Sequence, residues 1–295
     1  MKSYKTFFRS TTLLITLKDN SNFTKKLIKY LNLQSIKIEI FVADGSKKKQ
    51  KNLFKKLKHR YRYYFYGEDK NLSDYYLKIY KSLKQIKSKF IFFCDTDDFI
   101  NFNSLKKKEI FLEKNTNFSA AKGILYNFQN YKKNLLILHD KSYPNEIKNK
   151  KNLFNRIFFN FHFRSYYCLH RKKNLIKIFR IVIHNKISDV RSAEFVMDFS
   201  TLLFGEIYFI NQCSLLRWSG NKYGLHPIKK HYNSRFSWFF NKIFNNNILL
   251  KDIISVNNNL NLNLTILKVI IIFFDLIPNA FRKIIYFFLK VIKFK

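Results

Sequence analysis

Acidic residues are scarce in this chain, with Asp+Glu 19 against Lys+Arg 56 in 295 residues, so those that cluster carry information. Three of them fall within the four positions Asp95-Thr96-Asp97-Asp98. Carboxylates held that close repel one another, and without a cation at least one is pushed toward its protonated form. A divalent cation removes the conflict. An all-oxygen donor set suits Mg2+ or Mn2+, and Mg2+ takes one or two carboxylates and completes its shell with water and phosphate oxygens. The alternative is a turn whose aspartates cap a helix starting near Asn103 or Ser104.

The flanking patterns supply a scaffold for such a site. Phe90 to Cys94 (FIFFC) is wholly apolar and runs directly into the cluster, as a fully buried strand would. Upstream, Thr12 to Leu17 reads as a buried strand that breaks at Lys18-Asp19-Asn20-Ser21, after which Phe23, Leu27, Ile28 and Leu31 recur at helical spacing. Ile36 to Ala43 (IKIEIFVA) alternates as a second strand and stops at Asp44-Gly45-Ser46. A basic helix is predicted over Lys48 to Lys58, an aromatic strand around Tyr61 to Tyr66, and a helix over Leu72 to Lys87 with Tyr76, Ile79, Tyr80, Leu83 and Ile86 on one stripe. The order β-α-β-α-β-α-β implies an α/β fold, a Rossmann-like, mostly parallel sheet flanked by helices. Ligands of such sheets sit outside the carboxyl ends of the strands. Asp19-Asn20, Asp44-Gly45-Ser46 and Asp95 to Asp98 all fall at those ends, and this convergence favours a ligand site over a helix cap.

The later part of the chain is less regular. Residues 126–160, rich in Asn and Lys and containing Pro144, read as an irregular connection, and Tyr166 to His170 as a strand. Asp189 to Phe204 reads as a helix closed by Gly205, with a short strand over Glu206 to Ile210.

With hydrophobic residues at 47% and only 6 Gly and 3 Pro, the chain is neither disordered nor linker-like. A net charge of +37 with 18 Tyr and 34 Phe first suggests nucleic acid, through phosphate contacts and stacking. Joint enrichment of Lys, Asn, Ile, Phe and Tyr also fits codon drift in an AT-rich genome, and an anionic membrane surface or a phosphorylated ligand would use the same charge. Cys94, Cys168 and Cys213 are odd in number and scattered, which fits buried thiols in a reducing cytosol rather than a disulfide framework or a zinc site. The apolar run Leu13-Leu14-Ile15 is too short for a signal-peptide core, so an unexported protein is expected.

The strands TLLITLKDN and IEIFVADGS, the D-x-D-like segment FIFFCDTDDF and the helix AEFVMDFSTLLFG together resemble glycosyltransferase family 2, over about residues 10–215. The resemblance implies the GT-A fold and an inverting transfer from a nucleotide-sugar. It implies that Thr16 and Asp19 line the nucleotide pocket, that Asp44 meets the base, that Asp95 and Asp97 approach the ribose and diphosphate, and that Asp98, with Asp97, ligates Mg2+ or Mn2+. The family's general base lies about eleven residues before a helix-ending glycine, which is Glu194 here, with Asp198 the second candidate one turn later. Where the family often has Glu-Asp this chain has Ala193-Glu194, and the family's Pro-Thr-Tyr-Asn-Arg is Thr16-Leu17-Lys18-Asp19-Asn20. In that chemistry the metal neutralises charge on the departing diphosphate and a carboxylate deprotonates the acceptor hydroxyl, so no enzyme nucleophile is needed.

Other features read as ordinary structure. Gln212 to Trp218 resembles the Q-x-x-R-W pattern of processive polysaccharide synthases only loosely, because four residues separate Gln212 from Arg217, and Arg217 is expected at the surface of a strand end. His226 and His231 are expected in an exposed loop, and the runs Lys47-Lys48-Lys49 and Lys106-Lys107-Lys108 on solvated faces. In the tail, Leu264 to Lys295, neither apolar stretch reaches the ~20 residues of a membrane span. Arg282, Lys283, Tyr286, Lys290 and Lys293 form one basic stripe, which fits an in-plane amphipathic helix on an anionic membrane surface, or a helical hairpin packed on the domain.

The expected organisation is a GT-A catalytic domain over residues 1–225 and a helical, membrane-associated extension over 226–295. The expected protein is cytoplasmic, peripheral to the inner face of the cell membrane, and acts on a glycan or lipid-linked acceptor in surface-polysaccharide assembly, with no nucleic-acid partner. The alternatives are a basic nucleic-acid-binding protein on a degenerate enzyme fold and a nucleotidyltransferase; against the latter, no Gly-rich phosphate loop follows the first strand.

Overall fold

The computed structural model describes residues 6–131, 134–139, 153, 156–157, 164–218 and 246–255. The chain divides into two units, Met1–Pro227 and Ile228–Lys295. The second is represented by one helix, Asn247–Ser255, which buries Leu249, Leu250 and Ile253. The basic tail stripe, His226 and His231 lie outside the described residues.

The first unit begins as the periodicity predicts. Strand β1 (Thr6–Leu17), helix α1 (Ser21–Leu33), β2 (Ile36–Asp44), a single helical turn α2 (Lys51–Phe54), β3 (Tyr61–Phe65), α3 (Leu72–Gln85) and β4 (Phe90–Asp95) follow in order. Helix α1 buries Thr24, Leu27, Ile28 and Leu31, the i, i+3, i+4, i+7 face of an amphipathic helix. Then come β5 (Asp98–Ile100), α4 (Phe102–Lys114), β6 (Phe118–Tyr131), β7 (Asn134–His139), a 3-10 turn (Ser165–Tyr167), β8 (Leu169–Arg171), α5 (Lys172–His184), α6 (Val190–Phe204) and β9 (Glu206–Trp218).

Among the described residues one sheet holds all the strands, in the order β3-β2-β1-β4-β8-β6-β9-β5, with β7 paired to β6. The architecture is mixed α/β, and its long ladders (β1 with β2 and β4, β2 with β3, β6 with β9) are parallel. The short pairings of β8 and β5 and the longer β6–β7 hairpin are antiparallel. Leu13, Ile15, Ile40, Val42, Phe90, Phe92 and Cys94 are buried in the main core.

Several elements depart from the sequence reading. β1 starts at Thr6, and its register with β2 shifts between Phe7 and Thr12. Buried Glu109 explains the irregularity, because its Oε1 accepts from the amides of Arg9 at 3.1 Å and Ser10 at 2.8 Å. The helix expected over Lys48 to Lys58 is only α2, since the Gln50 amide is held by Asp44 Oδ2 at 3.0 Å and Lys55 to Leu57 turn away through i→i−3 bonds. The connection expected over 126–160 contains the β6–β7 hairpin. The strand expected over Tyr166 to His170 is instead the 3-10 turn followed by short β8. Lys47, Lys48 and Lys49 are exposed as expected, but Lys108 is fully buried, bonded to Ser214 Oγ, with its ammonium 4.8 Å from the centre of the Phe92 ring. Burial lowers its pKa to about 7.

Gly205 closes α6 in extended backbone rather than the left-handed form. It is needed for space, because a Cβ there would collide with the Asn117 carbonyl oxygen.

Candidate active site

The parallel strands end in register and bring the three polar clusters to one rim. Thr16 is the cross-strand neighbour of Asp95, and Leu17 of Asp44. Asp19, in the left-handed conformation (φ 46), donates its amide to Ser46 Oγ at 2.9 Å and accepts the Lys47 amide at Oδ1 at 3.0 Å. The β1 and β2 loops are thereby joined.

Asp44 is fully buried. Its Oδ1 accepts the Ser46 amide at 2.9 Å, and its Oδ2 accepts the Gln50 amide at 3.0 Å and the Tyr63 hydroxyl. Those bonds organise the turn that begins at Gly45. Beneath it, buried Lys78 pairs with Asp69 and donates to the Leu17 carbonyl at 3.2 Å, while Asp69 packs so closely on Gly45 that a Cβ would not fit. An ion pair this deep holds only where both charges are matched and hydrogen-bonded.

The Asp95–Asp98 cluster does not cap a helix. Asn101 caps α4, accepting the amides of Asn103 at 3.1 Å and Ser104 at 3.2 Å. Asp95 Oδ1 accepts from Thr16 Oγ1 at 2.5 Å and from the Tyr166 hydroxyl at 3.2 Å, and the Tyr75 hydroxyl lies 2.7 Å from that of Tyr166. Burial raises the pKa of Asp95, with the Thr16 bond, Arg217, the Tyr166 bond and Lys78 opposing. Asp97 occupies the turn between β4 and β5. Asp98 is buried, accepts the Asp95 amide at Oδ2 at 3.3 Å, and has its pKa pushed well up by burial and then by the charges of Asp95 and Asp97.

Among the described residues no three His, Cys, Asp or Glu side chains form a set that would hold a metal by themselves. The carboxylates nevertheless fit a hard divalent cation whose shell is completed by water and phosphate oxygens, because their mutual repulsion is what such an ion relieves.

Arg217 is not the surface arginine expected from the sequence. It lies directly opposite Asp98 in the antiparallel β5–β9 ladder, its guanidinium carbon is 5.5 Å from the centre of the Tyr167 ring, and its charge opposes the upward shifts of Asp95, Asp98 and Glu194.

A cavity of about 320 Å3 opens here, lined by Asp95, Tyr75, Tyr166, Arg164 and Arg217 and, from α6, by Glu194 and Asp198. Asp189 caps that helix, accepting the Ser192 amide at 2.8 Å. Glu194 is exposed at the cavity, though protein crowds its other sides. Burial and the charge of Asp198 raise its pKa, against Arg164, Arg217 and Arg191. Asp198 is committed elsewhere: Oδ1 accepts the Ser165 amide at 2.6 Å and hydroxyl at 2.7 Å, and Oδ2 the Arg164 amide at 3.2 Å. A larger cavity of about 550 Å3, lined by Tyr30, Phe99, Phe102 and Leu216, contains no carboxylate in its lining. Leu216 and Arg217 are strand neighbours, so the two cavities lie on opposite faces of β9.

The architecture matches solved structures. Residues 1–349 of S. aureus TarS superpose with a TM-score of 0.55 at 13% identity, covering 90% of this chain and 72% of that one. The fold is of the GT-A type. The same TarS fragment in complex with UDP-GlcNAc gives a TM-score of 0.52 at 15% identity, covering 86% of this chain and 68% of that one. Its complex with UDP gives 0.50 at 13%, covering 86% and 67%. Against a longer TarS structure, the chain spans 37% of that chain's length. No family model matches this chain, and no curated protein matches it in sequence.

Of the residues expected at the site, Thr16 and Asp95 are hydrogen-bonded to each other, Asp95, Glu194 and Asp198 line one cavity, Asp98 is the backbone-linked neighbour of Asp95, and Asp19 and Asp44 shape the adjoining loops. Tyr75, Arg164, Tyr166 and Tyr167 went unrecognised. Tyr75 sits beside the buried Tyr76 stripe and reads as part of it. The one available signal was the pair Tyr166-Tyr167, whose polar hydroxyls have no place in a buried strand without partners.

Proposed function

We propose that this chain is a nucleotide-sugar-dependent glycosyltransferase that moves a sugar from a nucleoside-diphosphate donor to an acceptor hydroxyl with inversion. The observation that carries the reading is the single cavity that sets Asp95, at the end of β4, against Glu194 on α6. Thr16, Asp19 and the Asp44 turn receive the nucleotide, and Asp95 and Asp97 face the ribose and diphosphate. The half-buried cation Arg217 offers the diphosphate a charge-assisted contact, which strengthens as negative charge builds on the leaving group.

Asp98 and Asp97 are the residues to hold Mg2+ or Mn2+, which when bound neutralises charge on the diphosphate. Glu194 acts as general base: its raised pKa brings it closer to the acceptor's proton affinity than an ordinary carboxylate, and it takes the hydroxyl proton as the oxygen attacks the anomeric carbon. Asp198, with its oxygens engaged by Arg164 and Ser165, supports rather than replaces it. A single displacement inverts the configuration, and the donor's glycosidic bond to the diphosphate breaks as the new bond forms.

The proposed setting is surface-polysaccharide or lipid-linked glycan assembly, with the acceptor a glycan or lipid-linked glycan and an anionic membrane surface as a further partner. Among the described residues no helix is long and apolar enough to cross a membrane. The test is a nucleotide-sugar panel read by thermal shift with and without Mn2+, followed by NMR of the product anomer. Metal-dependent stabilisation by one donor and an inverted product are expected; retention of configuration removes the single-displacement mechanism.

A further inference from the structure

Tyr166 connects the two walls of this cavity. It belongs to the 3-10 turn that Asp198 holds through the amides of Arg164 and Ser165 and the Ser165 hydroxyl. Arg164 enters the turn at φ 50, a left-handed conformation that a residue with a side chain adopts only where its surroundings enforce it. The turn delivers the Tyr166 ring onto Phe93, 4.8 Å between centres and 11° from parallel, in the strand that ends at Asp95. From there its hydroxyl donates to Asp95 Oδ1 at 3.2 Å.

The protons can be counted. Thr16 and Tyr166 each have one hydroxyl proton, and both go to Asp95 Oδ1, so Tyr75 is the donor to this pair, facing the Tyr166 hydroxyl at 2.7 Å and Thr16 Oγ1 at 3.4 Å. This arrangement suits an ionised Asp95 with Oδ1 held by protein and Oδ2 left to address a ligand.

We infer that Asp198 and Tyr166 are positioning residues that form a strut across the cavity: Asp198 fixes the Ser165–Tyr167 turn, and Tyr166 in that turn fixes the orientation of Asp95. Donor recognition is then set partly from the helix that carries the base. The inference rests on the glycosyltransferase reading and adds to it a role for two residues that no step of the chemistry requires.

The test is titration calorimetry of the full chain with UDP and UDP-GlcNAc in Mn2+, together with steady-state kinetics. Tyr166→Phe weakens donor binding about tenfold, the loss of one hydrogen bond to a carboxylate. Asp198→Asn weakens it to a similar degree, the double variant is no worse than the weaker single, and Tyr166→Phe adds nothing in an Asp95→Asn background. Ser165→Ala, which leaves the backbone bonds of the turn in place, produces a smaller loss and keeps the test open if Asp198→Asn fails to fold.

Unchanged donor affinity in Tyr166→Phe overturns the strut and leaves the functional reading standing. So does an Asp198→Asn variant that loses turnover at unchanged donor affinity, because that is the behaviour of a base. A full further loss from Tyr166→Phe in the Asp95→Asn background also overturns it, since Tyr166 would then contact the donor itself. A wild-type chain that binds no nucleotide-sugar overturns the strut and the functional reading together.

Discussion

The two sides of the rim are built on different length scales. At the β1 and β2 loops, polar contacts close within one turn or between adjacent loops: Asp44 takes the amides of Ser46 and Gln50, and Asp19 that of Lys47. Around the cavity, contacts join distant parts of the chain, with Asp98 opposite Arg217, Tyr166 on Asp95 and Ser165 on Asp198. The buried Asp44 carboxylate is occupied in holding a turn, whereas the pKa values of Asp95, Asp98 and Glu194 are pushed upward, by burial first and, for Asp98 and Glu194, by neighbouring carboxylates as well. Perturbed groups gathered in a cleft are where chemistry is found. On the proposed function, one side gives the site its shape and the other its reactivity.

That division can be broken by substitution. On the reactive side, Glu194→Gln is expected to lower turnover about 10²–10⁴-fold while donor affinity stays unchanged, read by kcat and calorimetry side by side. Asp98→Asn is expected to abolish transfer and Mn2+-dependent donor binding, with the far-ultraviolet circular dichroism spectrum unaltered. Full activity in either variant reverses the assignment.

On the shaping side the effect appears in stability. Asp44→Asn replaces an acceptor of three hydrogen bonds and is expected to cost about 1–3 kcal/mol in denaturant unfolding. If the variant is as stable as wild type, the turn does not depend on that carboxylate.

The pH dependence sharpens the contrast. Because the pKa of Glu194 is raised, the acid limb of kcat/KM lies above the ordinary Glu value of 4.5, and activity rises with pH through that limb as the base ionises. Arg191 opposes the shift, so Arg191→Gln moves the limb to higher pH, by an amount that shrinks as salt is added.

The smallest predicted effect lies away from the site, at Lys108. Its folded-state pKa of about 7 is below the ordinary 10.5, so the unfolded chain binds more protons between those values and stability climbs as pH rises through that window. Lys108→Met is expected to raise Tm near neutral pH and flatten the climb. An undiminished climb assigns it to another group.

The same difference in length scale explains what could be read from the sequence. Periodicity and the polar punctuation at Asp19, Asp44 and Asp95 disclosed the parallel strands because each signal lies within one element. Strand β5 was hidden by its three residues, and the early part of β1 by the charged Arg9 and polar Ser10 that Glu109 accommodates. Lys108 reads as a solvated lysine until Ser214 is placed beside it. Arg217 could not be assigned to the cavity because its register with Asp98 exists only once β9 returns along the sheet. Tyr166 and Asp198 are joined by a turn whose conformation leaves no pattern in residue type.

Helix α6 is fixed at both ends, by the Asp189 cap and by the abutment of Gly205 on Asn117. Between those anchors it acts as a ruler that sets the angle at which Glu194 meets the cavity. Inserting or deleting one residue between Glu194 and Gly205 would rotate Glu194 by about 100° relative to Gly205. Changes of length within this helix should therefore be far more damaging to transfer than changes of side chain along its outer face.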